Sequence, residues 1–102
     1  MGKNLNDLTK ANLVCTATEV DLATDADVTV SSGACILHGI HVTTALSAHA
    51  APIKDGTTAK FTLPASQAVG HIDCHHTEFS TSLVVESDNS GTGKIIVFWS
   101  PI

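Results

Sequence analysis

The sequence predicts an all-β fold, a two-sheet antiparallel β-sandwich of jelly-roll-like type with about eight short strands. Val, Ile and Thr dominate short runs separated by Gly, Asp, Asn and Ser, which is typical of strands joined by turns. Helix signals are weak and limited to Leu5–Leu13 and Thr44–Ala51, and the second runs into Pro52, which disfavours helix before it. Jelly-roll and immunoglobulin-like topologies both fit this pattern.

Each predicted strand is a short apolar or β-branched run between turn residues. The predicted strands are Asn12–Thr18, Val28–Ser31, Cys35–Thr44, Ala51–Lys54, Ala59–Leu63, His71–His76, Ser82–Glu86 and Lys94–Trp99. Asp55-Gly56 in IKDGTT predicts a hairpin with a two-residue type I′ turn. No repeat, charge block or linker divides the chain, so residues 1–102 are predicted to form a single domain.

Composition limits the classes of partner. The 102 residues are 43% hydrophobic and 15% charged, enough to bury a core. The net charge is −5, and all five basic residues are scattered lysines, so neither a nucleic acid nor an anionic membrane is an expected partner. The N-terminus lacks the apolar stretch of a secretory signal, and no apolar run approaches the roughly 20 residues that span a bilayer.

The three cysteines, Cys15, Cys35 and Cys74, are odd in number and lie far apart in apolar runs. Such a pattern favours reduced thiols, at least two of them buried, over a disulfide framework.

The stretch GHIDCHHTEF concentrates three histidines, a cysteine and two acidic residues in ten positions. The period of a strand assigns His71, Asp73, His75 and Thr77 to one face, and Ile72, Cys74, His76 and Glu78 to the other. His71, Asp73 and His75 are the candidate ligands for Zn²⁺ or Fe²⁺. Same-face neighbours on a strand lie about 7 Å apart, so we expect a solvated or interface strand and no bound metal or other cofactor.

Other chemistry is poorly supported by the motifs. His38 and His41 of HGIH are predicted to lie on opposite faces, and His75 is badly placed to act as a base for Cys74 because strand neighbours point apart. The chain has no nucleophile elbow, phosphate loop or dinucleotide fingerprint. The histidine spacing also departs from that of cupin metal enzymes, because no Glu follows HGIH before Pro52. We therefore predict no enzymatic activity and no catalytic residues.

The last strand is apolar on both faces. Ile95, Val97 and Trp99 alternate with Ile96 and Phe98, so both faces need cover. Residues Cys35–Thr44 likewise show no plainly solvated side. A small domain has little interior to cover two such strands, so we predict a subunit interface at Ile95, Ile96, Val97, Phe98 and Trp99. A lid formed by the N-terminal segment is the alternative.

The runs VTVSSGACILHGIHVTTALSAHAAPIKDGTTAKFTLPAS and FSTSLVVESDNSGTGKIIVFW resemble small, uncharacterised β-rich proteins encoded among virion genes of marine bacteriophages and in ocean metagenomes. The resemblance covers about Asp27 to Trp99. It implies a non-enzymatic structural or accessory virion protein, for capsid decoration or in the tail, that is assembled in the host cytoplasm as a homo-oligomer with itself and other virion proteins as partners. A trimer is favoured by analogy with other jelly-roll virion proteins, and a dimer is the alternative. The alternative is a cupin-like jelly roll that binds a small ligand or metal on its histidine-rich strand.

Overall fold

A computed structural model describes residues 15–24, 26–87 and 91–102. Eight strands and one short 3₁₀ turn, Leu22–Thr24, make up its regular structure. The strands are β1 (Thr16–Asp21), β2 (Val28–Ser31), β3 (Cys35–Thr44), β4 (Ala51–Asp55), β5 (Thr58–Leu63), β6 (Gly70–Phe79), β7 (Leu83–Val85) and β8 (Lys94–Pro101). Within the described residues, no helix is long and apolar enough to cross a bilayer.

The strands form two four-stranded antiparallel sheets, which confirms the predicted sandwich. The first sheet has the order β1-β8-β3-β6 and the second has the order β2-β7-β4-β5. The chain pairs β1 with β8, β2 with β7, β3 with β6 and β4 with β5, as in a long hairpin rolled over on itself. This order is that of a jelly roll, and it decides between the two topologies that the sequence allowed.

The core lies between the inner faces of the two sheets. Residues directly opposite each other in adjacent strands lie on the same side of a sheet, so buried pairs identify the inner face. In the first sheet Val42 is opposite Ile95 and Ile40 is opposite Val97, and all four are fully buried. The second sheet contributes, among others, the fully buried Ile53, Leu83 and Val85.

The weak helix signal before Pro52 corresponds to no helix, as the proline indicated. Residues 45–50 instead cross between the sheets and bond to distant segments: Leu46 donates its N–H to the Gln67 carbonyl, and Ser47 donates its N–H to the Thr92 carbonyl. One local prediction needs correction. The predicted hairpin is present, but its two loop residues are Gly56 and Thr57, since Asp55 pairs with Thr58. Only Gly56 of these two has positive φ, as in a type II′ turn.

Strand ends differ from the predicted ones by a few residues. The largest shift is in β1, predicted at Asn12–Thr18 and found at Thr16–Asp21; residues 12–14 lie outside the described part of the chain. The weak helix signal at Leu5–Leu13 and the N-terminal segment of the alternative lid also lie outside it.

Candidate functional site

The outer face of the first sheet carries an unusual set of side chains. His41 is opposite Ile96 and Gly39 is opposite Phe98, so these residues point away from the core. Ile36 follows on β3, opposite Ser100. Ile36, Ile96 and Phe98 are half-buried and form what we call the apolar strip.

The predicted interface of β8 divides between the two faces. Ile95 and Val97 are fully buried in the chain's own core, so they are unavailable to a partner. Trp99 packs against that core and its Nε1 donates a hydrogen bond to Thr18 Oγ1 at 2.9 Å. The structure thus leaves Ile96 and Phe98 as the outward-facing members of the predicted set.

The ladder between β3 and β6 is interrupted by a bulge on β6, and this bulge faces the residue at which β3 bulges relative to β8. Leu37 is opposite Thr77, and the next paired residue, Gly39, is opposite Asp73. One residue on β3, His38, therefore faces the three residues 74–76 of β6. Bulges of this kind redirect side chains and are frequent beside functional sites.

The β6 bulge places two consecutive histidines in an unfavourable backbone conformation. His75 and His76 both have φ of 54°, in the left-handed region that residues other than glycine adopt at a cost. Neighbouring side chains hold the turn: Asp73 Oδ1 accepts the N–H of His75 at 2.8 Å, and Thr77 Oγ1 donates to the Cys74 carbonyl at 2.6 Å. The hydrogen bond from the His75 N–H also lowers the pKa of Asp73.

The bulges change which residues share a face, so two predicted assignments are wrong. Thr77, predicted to share a face with His71, lies opposite the buried Leu37 and is on the inner face. His38 was predicted to lie on the face opposite His41. It has no partner in the β3–β8 ladder, just as it has none in the β3–β6 ladder, and its ring bonds to the outward-facing Ser100. Both histidines of HGIH therefore lie on the outer side.

The redirected histidines form a hydrogen-bonded chain of three side chains. His38 Nδ1 lies 2.7 Å from His76 Nδ1, and His38 Nε2 lies 2.7 Å from Ser100 Oγ. The two imidazole planes are inclined at 76° and their centroids are 4.9 Å apart. Burial, followed by the proximity of the His76 ring, lowers the pKa of His38.

The three candidate metal ligands from the sequence are not brought together. The His71 ring is stacked on His41, with 6.3 Å between centroids. Asp73 bonds to the His75 backbone, and the His75 ring is 84% exposed with its Nδ1 3.8 Å from Asp73 Oδ2. Among the described residues no group of three or more His, Cys, Asp or Glu side chains is placed to hold a metal ion.

A cleft of about 180 Å³ opens on the inner side of β6. Its lining residues are Phe61, Ile72, Asp73, Cys74, His75 and Thr77. Burial raises the pKa of the Cys74 thiol to about 11, so this thiol is a poor nucleophile at neutral pH. Small-molecule sites usually enclose about 300–1,000 Å³, so the cleft suits only a very small ligand.

No protein-family model matches the sequence, and no curated protein or solved structure shows significant similarity to it. The resemblance to phage virion proteins therefore stays a prediction.

Sequence reasoning missed the His38–His76 pair because it joins positions 38 residues apart through irregular backbone. One signal was present. Gly39 lies in the middle of the long run Cys35–Thr44, and glycine inside a strand often marks a bulge or a close approach. A Cβ at position 39 would lie 2.7 Å from Cε1 of His71 and 3.2 Å from the Ile72 carbonyl oxygen, so glycine at this position allows the His71 ring to lie close to the β3 backbone.

Proposed function

We propose that this protein is a non-enzymatic structural module that works as a symmetric homo-oligomer, with the outer face of the first sheet as its subunit interface. The observation that carries the proposal is Phe98. It faces outward from a central strand, opposite the small residues Ala17 on β1 and Gly39 on β3, with the His71 ring beside it at 6.3 Å between centroids. Contiguous apolar groups on an outer face are typical of interaction surfaces.

The second sheet offers a different outer face. Lys54 Nζ bridges Asp27 and Glu86 at 2.9 and 3.1 Å, and Thr29 and Thr62 are exposed. Ion pairs and hydroxyl groups of this kind are readily hydrated, and burying them in an interface costs free energy. The contrast between the two faces favours assembly through the first sheet.

A second copy of this chain is the proposed occupant of the apolar strip. A closed symmetric arrangement would cover Ile96 and Phe98 in every subunit and leave no such strip exposed. Trimeric assembly, virion location and contacts with other virion proteins are proposed on the resemblance alone, since fold by itself does not establish function.

An enzymatic role has less support. Ser100, His38 and His76 follow the order of a nucleophile, a base and an orienting group. Acyl-transfer catalysis also needs preorganised oxyanion donors beside the nucleophile. Ser100 lies on the outer sheet face, whereas the cleft lies beside Phe61 on the inner side of β6, so the chain of side chains and the cleft do not form a common site.

A small-ligand-binding domain is the rival function, and the cleft beside β6 favours it. Its volume is small, and two of its polar groups, the Asp73 carboxylate and the Thr77 hydroxyl, already bond within the bulge. We therefore place this function second.

The test compares charges introduced on the two outer faces. Phe98→Glu would bury an uncompensated carboxylate at the interface, so we expect it to yield a folded monomer. Thr62→Glu is the matched control on the second sheet and should leave the assembly intact. Analytical ultracentrifugation and circular dichroism would report mass and fold. An oligomer that survives Phe98→Glu would contradict the proposed interface.

A further inference from the structure

The facing bulges direct two ring nitrogens at each other. A neutral imidazole has one protonated and one unprotonated nitrogen, so one Nδ1 of the His38–His76 pair donates and the other accepts across the 2.7 Å contact. If the donor ring carries its proton on Nε2 instead, both Nδ1 lone pairs point into the space between the rings. This change of tautomer requires no net loss of a proton.

The other nitrogen of His38 already has a partner. Its Nε2 lies 2.7 Å from Ser100 Oγ. Histidines that bind metals usually donate their second ring N–H to a neighbouring oxygen, which fixes the tautomer and the orientation of the ring. Ser100 can accept such a bond, and His38 would then present Nδ1 as the free ligand atom.

We propose that His38 and His76 bind a divalent transition-metal ion such as Zn²⁺ through their Nδ1 atoms. Imidazole nitrogens suit Zn²⁺, Cu²⁺ and Ni²⁺. Zn–N bonds of about 2.0–2.1 Å in a tetrahedral site require the two nitrogens to be about 3.3 Å apart, so a small separation of the rings admits the ion. His76 is exposed, which leaves the remaining positions open to water.

The backbone supports a functional role for this pair. Two consecutive left-handed histidines are unfavourable, and such outliers often accompany ligand sites. The bulge that contains them brings His76 to His38, whereas regular pairing would have continued the ladder. The proposed residues differ from the set His71, Asp73 and His75, on which the expectation of a metal-free protein was based. The site lies within one chain and does not depend on assembly.

The test uses tag-free protein treated with chelator and titrated with Zn²⁺ alone in a calorimeter. We expect one ion per chain. His38→Asn and His76→Gly should each lower the affinity for Zn²⁺ by about tenfold or more. Glycine accepts the left-handed backbone at position 76, so His76→Gly should fold. The matched controls, His75→Ala and His49→Ala, remove exposed histidines outside the pair and should keep the wild-type affinity.

Long-range ¹H–¹⁵N spectra provide a second readout, because Zn²⁺ should shift Nδ1 of His38 and His76 and leave Nε2 of both rings protonated. Absence of binding by the wild type would overturn the proposal. Equal affinity in the wild type and His76→Gly would identify adventitious surface coordination and would also overturn it. Spectra showing coordination through other nitrogens would have the same consequence.

Discussion

Oδ1 of Asp55 lies 2.9 Å from the backbone nitrogen of Thr81 and accepts its hydrogen bond. Oδ2 of the same carboxylate accepts the N–H and the hydroxyl group of Ser80. One side chain at the end of β4 thereby holds the segment that leads from β6 into β7. These bonds, led by those from the Ser80 and Thr81 N–H groups, lower the pKa of Asp55 from 3.8 to about 2.

The first prediction concerns acid stability. Because the folded-state pKa of Asp55 is depressed, its contribution to stability is fully present above the unfolded-state value and is lost as the pH falls through the folded-state value. Urea unfolding at several pH values should show the free energy of unfolding falling between about pH 4 and about pH 2. Asp55→Asn should show a shallower fall over that range, whereas Glu19→Gln on β1 should follow the wild type. Parallel curves for wild type and Asp55→Asn would contradict the assignment.

The second prediction concerns the strained β6 bulge. A left-handed conformation costs a non-glycine residue about 1–2 kcal/mol, and glycine loses about 0.5–1 kcal/mol through its greater freedom in the unfolded chain. His75→Gly should therefore raise the free energy of unfolding by about 0.5–1 kcal/mol. His75→Ala is the control, because alanine gains no freedom at positive φ. Chemical denaturation, with the m value unchanged, would measure the difference in the free energy of unfolding. A His75→Gly variant less stable than the wild type would contradict this prediction and would show that the His75 side chain stabilises the fold.

Much of the fold was predictable because its signals are local. Short runs between turn residues, most of them rich in Val, Ile and Thr, marked the eight strands, and the glycine after Asp55 marked the β4–β5 hairpin. The choice of a jelly roll depends on pairings such as Thr16 with Trp99, and no local pattern encodes these.

The candidate site was less predictable because side chains stop alternating between the two faces of the sheet at the β6 bulge. A period of two holds only where a strand is regular, and neither His75 nor His76 is glycine, the residue that most clearly marks left-handed backbone. The residues of β8 show the opposite case. Its regular alternation correctly separated the buried Ile95 and Val97 from the outward-facing Ile96 and Phe98.

The third prediction concerns the thiols. All three cysteines are free, with Cys35 and Cys74 buried and Cys15 exposed, which confirms that at least two are buried. Burial raises the pKa of both Cys35 and Cys74, so neither should react at neutral pH in the folded state. Titration with a thiol reagent should find one reactive group per native chain and three after unfolding. Cys15→Ser should show none in the native state, and rapid labelling of that variant would contradict the packing.

The fourth prediction separates the two aromatic residues of β8. Trp99 packs on the core and bonds to Thr18, so Trp99→Glu should unfold the chain because a carboxylate would be placed against apolar groups. Phe98 faces outward, so Phe98→Glu should retain the fold. Thermal unfolding followed by circular dichroism would distinguish them, and equal loss of structure in both variants would show that Phe98 is part of the core.

The mass of the wild-type protein in solution shows whether copies of this chain assemble, as the outer face of the first sheet predicts. Light scattering coupled to size-exclusion chromatography at micromolar concentration measures that mass without reference to shape. We predict a single species whose mass is at least twice the chain mass of 10.6 kDa, and three times that mass for the proposed trimer. A stable species of 10.6 kDa at that concentration would contradict it.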